Sequence, residues 1–146
     1  MVDRDKMVGL IQRLRQYIRY LQDLAGLDED RFLEDPMAVG SARYYLQVSV
    51  ESCINLANHI IAAQRLRAPQ DFKDTFRVLN EAGIVPDDCA ARMRELAGLR
   101  NLLVHLYWEV DDRLILEGIR TELGHFEVFV SHIMAHVDRS SPAAGS

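Results

Sequence analysis

The stretch Arg100-Asn101-Leu102-Leu103-Val104-His105-Leu106-Tyr107 places an arginine, an amide, a histidine and a phenol among four aliphatic residues. Leucines within it and just before it recur every three or four residues, which predicts an amphipathic helix that buries its leucines. On a continuous helix Arg100 and Tyr107 lie close to one line along the axis, and Asn101 and His105 share a neighbouring face. The helix therefore presents its four polar groups from adjoining faces, as a functional site would.

A purely structural role is the competing interpretation of these polar residues. A histidine beside an arginine is more often hydrogen-bonded within the fold than catalytic. Arg100 and His105 also project about 140° apart on a straight helix. The two side chains could contact one ligand only from opposite sides of a groove, or if a second subunit contributed one of them.

Length and composition favour a single globular domain with a sizeable core. The chain has 146 residues, of which 49% are apolar and 27% are charged, the balance typical of a globular protein rather than a disordered one. The formal net charge of -5 argues against broad, non-specific binding to nucleic acid but leaves room for a local basic patch.

The cellular location follows from the cysteines and from the pattern of apolar residues. Cys53 and Cys89 both lie in apolar helical patterns, so we expect them to be reduced core residues. The sequence has no hydrophobic region of the signal-peptide type at its N-terminus and no apolar run near the roughly 18 residues of a membrane span. We therefore expect a cytoplasmic protein.

Apolar residues at helical spacing continue through most of the chain. Start and stop signals give four long helices and one short helix: residues 3–25, 37–66, 71–83 (the short one), 86–107, and a final helix from Asp111 or Asp112 to Ile133. Gly118 and Gly124 weaken the final helix without ending it. Residues 27–36 are an acidic connection with one helical turn. We predict an all-α, up-and-down bundle in one domain, residues 1–138, followed by a disordered tail, residues 139–146.

A polar stripe on the second long helix has two open interpretations. Glu51, Asn55, Asn58 and His59 stand at i, i+4, i+7 and i+8 on one side of a mostly apolar helix. The stripe is either a solvated face or the border of the groove that contains His105.

Several enzyme chemistries lack their motifs in this sequence. There is no CxxC pair, no HExxH, no glycine-rich phosphate loop and no GxSxG elbow. His132 and His136 are four residues apart, but two ligands without a carboxylate make a poor metal site. We therefore predict neither a metal nor a cofactor.

Arginine and histidine together suit the cleavage of RNA by internal transphosphorylation. That reaction needs a base for the 2′-hydroxyl proton, an acid for the leaving 5′-oxygen and a cation at the phosphate. A histidine titrates near neutral pH, and an arginine binds phosphate oxygens through two donors. One histidine per chain is too few to serve as both the base and the acid, and a symmetric dimer would supply a second histidine.

The spacing Arg100-x4-His105-x-Tyr107, with a polar residue directly after the arginine, resembles the signature of the HEPN superfamily. More narrowly, it resembles the HepT-like toxins of HEPN–MNT toxin–antitoxin pairs. The resemblance extends beyond the motif: residues 51–60 are similar to the second helix of that family, and residues 72–85 are similar to its middle segment.

The resemblance implies a metal-independent endoribonuclease that acts as a homodimer. Arg100 and His105 of both chains would line a shared cleft, with Asn101 orienting the histidine or the RNA substrate and Glu51 in a supporting role. It also implies a partner, an MNT-type nucleotidyltransferase antitoxin that neutralises the toxin by adenylylating Tyr107. The added negative charge and bulk would compete with RNA for the arginine.

A function of a different class stays open at this stage. In this alternative the chain is a non-catalytic helical binding or assembly module, in which Arg100 and His105 make polar contacts with a protein partner or hold a nucleotide without chemistry. RNA cleavage by the purified chain in EDTA separates the two functions.

Overall fold

The computed structural model describes residues 2–140, and no β-strand occurs among them. The helices are α1 (Arg4–Ala25), α2 (Glu29–Glu34), α3 (Pro36–Ala63), α4 (Phe72–Glu81), α5 (Asp87–His105), α6 (Asp112–Thr121) and α7 (Gly124–Ser140), with a 3-10 turn at Tyr107–Glu109. The predicted all-α class is confirmed, with α1, α3, α5 and α7 as the four long helices. No helix within residues 2–140 combines the length and the apolar character needed to cross a membrane.

Aspartates begin five of the helices and explain why the chain breaks where it does. Asp3, Asp28, Asp35, Asp71 and Asp111 each accept a hydrogen bond from a backbone N–H of the following first turn, at 2.7–3.2 Å. Such a cap contributes about 1 kcal/mol by satisfying a donor that has no partner within its helix. The predicted caps of α4 and α6 are confirmed.

The prediction of one continuous final helix is wrong. Helix α6 ends at Thr121 and α7 begins at Gly124, a residue that was expected to lie inside the helix. The apolar spacing continues across the break because each half buries an apolar face, but the two halves share only α3 as a neighbour among the helices that they pack on. Helix α6 packs on α1, α2 and α3, whereas α7 packs on α3 and α5. The acidic connection is also more structured than a single free turn, since α2 buries Phe32 completely.

Two boundaries of the long helices differ from the expected ones. Helix α3 ends at Ala63 rather than near residue 66, because Arg65 adopts a left-handed conformation with φ 54°. The Leu66 N–H then donates to the Ile61 carbonyl at 3.0 Å, which closes the helix end. Helix α7 runs to Ser140, two residues past the expected domain limit, and the rest of the expected tail, residues 141–146, lies outside the described residues.

The core lies between the long helices and is built around four fully buried phenylalanines. These are Phe32, Phe76, Phe126 and Phe129. Phe76 meets Phe129 edge to face, with ring centroids 5.5 Å apart, which joins α4 to α7. Helix α5 packs against α3, α4 and α7. Arg100, Asn101 and His105 are therefore carried by a helix that packs against its neighbours on three sides.

Candidate functional site

The motif is divided between a helix and the turn that follows it. Helix α5 ends at His105, and Leu106 leaves the helical conformation with φ -139° and ψ 45°. Tyr107 lies in the 3-10 turn. The expectation that Arg100 and Tyr107 share one line of a continuous helix is therefore wrong, because the helix stops two residues too early.

Arg100 lies in a crevice between α3, α4 and α5 with only 15% of its side chain exposed. Its Nε donates to Oε2 of Glu51 at 2.8 Å, and its Nη2 forms an ion pair with the same oxygen at 2.7 Å. The guanidinium carbon lies 4.8 Å from the centre of the Phe72 ring. The hydrogen bond and ion pair with one carboxylate, together with the aromatic ring beneath the cation, hold the guanidinium in a fixed orientation.

Asn101 and His105 differ in what they contact. The Asn101 side-chain oxygen accepts a hydrogen bond from Nη1 of Arg100 at 3.3 Å, so the amide is directed at the arginine rather than at the histidine. His105 is exposed, and no hydrogen bond or ion pair joins its imidazole to another residue between positions 2 and 140. The structure thus pairs Arg100 with Glu51 and Asn101 and leaves the imidazole open to solvent.

The turn after His105 presents large side chains to solvent. Tyr107 is 59% exposed and Trp108 is 66% exposed, and their rings meet edge to face with centroids 5.3 Å apart. Leu102 and Leu106 are also partly exposed beside them. The phenol is therefore accessible to a partner molecule.

Arg43 of α3 holds this turn in place, a role that the sequence did not indicate. Its Nη1 donates to the Tyr107 carbonyl at 2.9 Å and its Nη2 donates to the Val110 carbonyl at 2.5 Å. Nε and Nη2 also donate to one oxygen of Asp112, at 2.9 and 2.5 Å. Arg43 precedes its partners by more than 60 residues, so no spacing rule links them.

The polar stripe of α3 serves two surfaces. Glu51 reaches Arg100, whereas the His59 Nε2 accepts a hydrogen bond from the Asp3 N–H at 2.9 Å on the opposite flank, beside α1. Asn55 and Asn58 are exposed and line a groove shared with α1. Only the first member of the stripe therefore belongs to the motif.

The cysteines and the C-terminal histidines do not extend the site. Cys53 and Cys89 are free and buried, as predicted, and burial raises the pKa of the Cys89 thiol to about 11. The Nε2 of His136 lies within hydrogen-bond distance of the nitrogen and the oxygen of the Gln64 side-chain amide, at 2.8 and 3.1 Å, and burial lowers the pKa of His136. Among residues 2–140 no three histidine, cysteine or acidic side chains are grouped as metal ligands.

Comparisons with known proteins identify the family of this chain. The profile of the family described as ribonuclease HepT-like matches residues 14–133. The mRNA nuclease HepT of Shewanella oneidensis is 30% identical over 131 residues, which cover 90% of this chain and 98% of that protein.

Two solved structures have the same fold over nearly the whole chain. A toxin–antitoxin structure with AMP-PNP superimposes with a TM-score of 0.84 at 29% identity, covering 90% of this chain and 98% of that one. A tri-AMPylated Shewanella oneidensis HEPN toxin in complex with its MNT antitoxin gives a TM-score of 0.82 at 29% identity, covering 88% and 96%. The chain described here belongs to the ribonuclease HepT-like family.

Proposed function

We propose that this chain is the toxin of a toxin–antitoxin pair and cleaves RNA through Arg100 and His105. The observation that carries the proposal is a guanidinium held rigidly by Glu51 on the same helix as a solvent-exposed imidazole that has no hydrogen-bond partner among residues 2–140. A merely structural histidine would be expected to have a hydrogen-bond partner. The nuclease named among its relatives supports the same reaction.

The geometry supports a division of roles between the two side chains. Arg100 donates one hydrogen bond to Glu51 and one to Asn101, and its Nη2 is ion-paired with Glu51, while the fork of a guanidinium has five donors. The donors that make no hydrogen bond are available to the oxygens of a scissile phosphate, where they stabilise the charge that develops during transfer. His105 serves as the proton donor or acceptor. Neither role requires a metal ion.

A homodimer completes the proposed site. Arg100 projects into the crevice beside α3 whereas His105 projects to solvent, so a single chain does not offer both groups to one phosphate from one side. The exposed Leu102, Leu106 and Trp108 beside the motif provide apolar surface for a subunit contact. A two-fold axis there would bring Arg100 and His105 of both chains into a shared cleft.

The proposed antitoxin is an MNT-type nucleotidyltransferase, and its target is Tyr107. The phenol is exposed and lies two residues beyond His105, on a turn that Arg43 fixes. Adenylylation would add phosphate charge and bulk beside the cleft and so compete with RNA for the cations. Two free cysteines fit the reducing cytoplasm, where we place the pair.

Cleavage of RNA by the purified chain in EDTA tests the activity. His105→Ala should lower the rate by about 10²- to 10⁴-fold, the usual contribution of acid–base catalysis, while His132→Ala on α7 serves as the matched control. Light scattering on each variant shows whether the dimer persists. A wild-type chain that is dimeric and folded but leaves RNA intact, or an unimpaired His105→Ala variant, would contradict the proposal.

Mass spectrometry after co-expression with the antitoxin tests the modification. We expect adenylate on Tyr107 and none on Tyr44, which is also exposed, at 55%, and so serves as an internal control. Tyr107→Phe should abolish the modification and keep the toxin active in the presence of its partner. Adenylate distributed over several exposed tyrosines would argue against a specific site.

A further inference from the structure

A row of cations follows the seam between α4 and α5 and ends beside the motif. Lys73 and Arg77 stand four residues apart on one face of α4, and Arg94, Gly98 and His105 lie on one face of α5. A Cβ built on Gly98 would lie 3.0 Å from Cε and 3.3 Å from Nζ of Lys73. The lysine therefore lies directly across the glycine.

A pocket shared by α4 and α5 shows in which order the cations follow one another along the seam. Arg77 and Arg94 line the same pocket, one helical turn further from the motif than the contact of Lys73 with Gly98. The two helices thus run antiparallel along the seam. Asn101 and His105 continue the same face of α5 beyond Lys73. The order along the seam is Arg77 with Arg94, then Lys73 over Gly98, then Asn101 and His105.

The three cations of this row, Lys73, Arg77 and Arg94, are poorly neutralised by the protein. Among residues 2–140 no carboxylate lies within 4.0 Å of Lys73 or Arg94, and the buried Nε of Arg94 has no hydrogen-bond partner. Arg77 lies 3.9 Å from a carboxylate oxygen of Asp74, but that carboxylate already accepts two hydrogen bonds from Arg67 and one from the Gln70 N–H.

We propose that the cation row Lys73, Arg77 and Arg94 binds the phosphate backbone of the RNA strand and leads it to His105. The proposal rests on the proposed ribonuclease function and names the surface that holds the substrate. Eleven residues of helix separate Arg94 from His105 and span about 16 Å, enough for a few nucleotides. An acidic protein can bind a polyanion in this way where cations that its carboxylates do not neutralise lie in a row.

Two features set the limits of the path. Because Gly98 carries no side chain, α5 presents only its backbone to the RNA strand at this point between the cation row and the motif. At the far end Asp87 lines the pocket and accepts a hydrogen bond from the Asn80 amide at 2.8 Å. The carboxylate ends the positive surface there, so the strand would leave the seam beyond Arg77.

Binding of a fluorescent single-stranded RNA to the inactive His105→Ala protein tests the row. The triple variant Lys73→Gln, Arg77→Gln and Arg94→Gln is compared with a control of equal net charge in which three exposed cations of α1 are replaced by glutamine, Lys6, Arg13 and Arg19. We expect the row variant to bind at least about tenfold more weakly, with the slope of log K against log salt smaller by about 2, since each phosphate contact on a single strand contributes about 0.7. The α1 control should keep the affinity and the slope.

A second pair of variants probes the path without removing a cation. Gly98→Glu places a carboxylate under Lys73, whereas Gly118→Glu places one on α6, where a Cβ meets nothing within 4 Å. Only the first should weaken RNA binding.

Three results would overturn the proposal: equal losses in both triple variants, unchanged binding by the row variant, or loss of the dimer in the row variant alone, which would make the seam a subunit contact. Because binding is measured on an inactive protein, failure of the proposed cleavage reaction would appear separately, as a wild type that binds RNA and leaves it intact.

Discussion

Replacing Arg43 by glutamine tests whether the turn that carries Tyr107 is held from outside the motif helix. The arginine side chain is only 19% exposed and connects α3 to two carbonyls of the turn and to Asp112. Glutamine keeps the polarity and shortens the side chain. The variant therefore removes the contacts without adding charge or bulk.

The size of the effect follows from the contacts that are lost. Hydrogen bonds that involve a charged group contribute roughly 1.5–3 kcal/mol each when buried. Asp112 is 41% exposed, so water replaces the arginine at its carboxylate in the variant, and water also reaches the two carbonyls in part. The loss of stability is therefore much smaller than the sum of the hydrogen-bond contributions. We expect the free energy of unfolding to fall by about 2–3 kcal/mol in Arg43→Gln.

Arg120 offers a matched control elsewhere in the fold. Its Nε and Nη2 donate to the carbonyls of Ala25 and Leu27 at 3.0 and 2.6 Å, so it also holds a loop through backbone oxygens. Because Arg120 is exposed, Arg120→Gln should cost only about 1 kcal/mol. The control separates the general effect of loosening a loop from the specific effect of moving the turn after His105.

The assay measures stability and function on the same samples. Urea denaturation gives the free energies of unfolding. RNA cleavage and adenylylation of Tyr107 are then measured where both variants are fully folded. We expect Arg43→Gln to slow adenylylation by about tenfold or more, since small displacements of reacting groups carry large rate penalties, and Arg120→Gln to react at the wild-type rate. A destabilised Arg43→Gln that is modified at the full rate would refute the reasoning.

Three further predictions concern the fold. Phe76→Ala should lower the free energy of unfolding by about 3–5 kcal/mol because it empties a fully buried site, whereas Leu114→Ala, at a position 63% exposed, should change it by less than about 0.5 kcal/mol; equal effects in denaturation curves would contradict the assigned core. Arg67 and a backbone N–H lower the pKa of Asp74, so the stabilisation that Asp74→Asn removes should be full at neutral pH and shrink as the pH falls below about 4; a difference independent of pH would exclude the ion pair as its cause. Arg65→Gly should raise the melting temperature, since glycine removes a left-handed penalty of about 1 kcal/mol; an unchanged or lower value would contradict the assigned conformation.

Local signals in the sequence were sufficient for most of the helices. Asp71 and Asp111 were identified as caps because an aspartate before an apolar run satisfies the free donors of a helix start, a relation confined to a few neighbouring residues. The same local signals did not predict the break between α6 and α7. Leu123 and Phe126 keep the helical spacing across it, and the direction of the chain there depends on which neighbouring helices the two halves cover.

The candidate site was predictable only in part, for the same reason. Arg100, His105 and Tyr107 are close in sequence, so their spacing could be recognised. The pairing of Arg100 with Glu51 spans 49 residues and that of Arg43 with the Tyr107 carbonyl spans 64. Contacts at such separations depend on how α3 packs against α5. The periodicity of a single sequence does not predict that packing.

The end of helix α5 at His105 separates the histidine from the tyrosine of the motif. His105 is part of a helix that packs in the core, whereas the turn that carries Tyr107 is attached to α3 through Arg43. In the proposed function, a regulator that binds the phenol contacts the turn, whereas the cleavage reaction uses the helix. Mutations that adapt the turn to a new regulator would then leave His105 in place, so that recognition and cleavage could evolve at different rates.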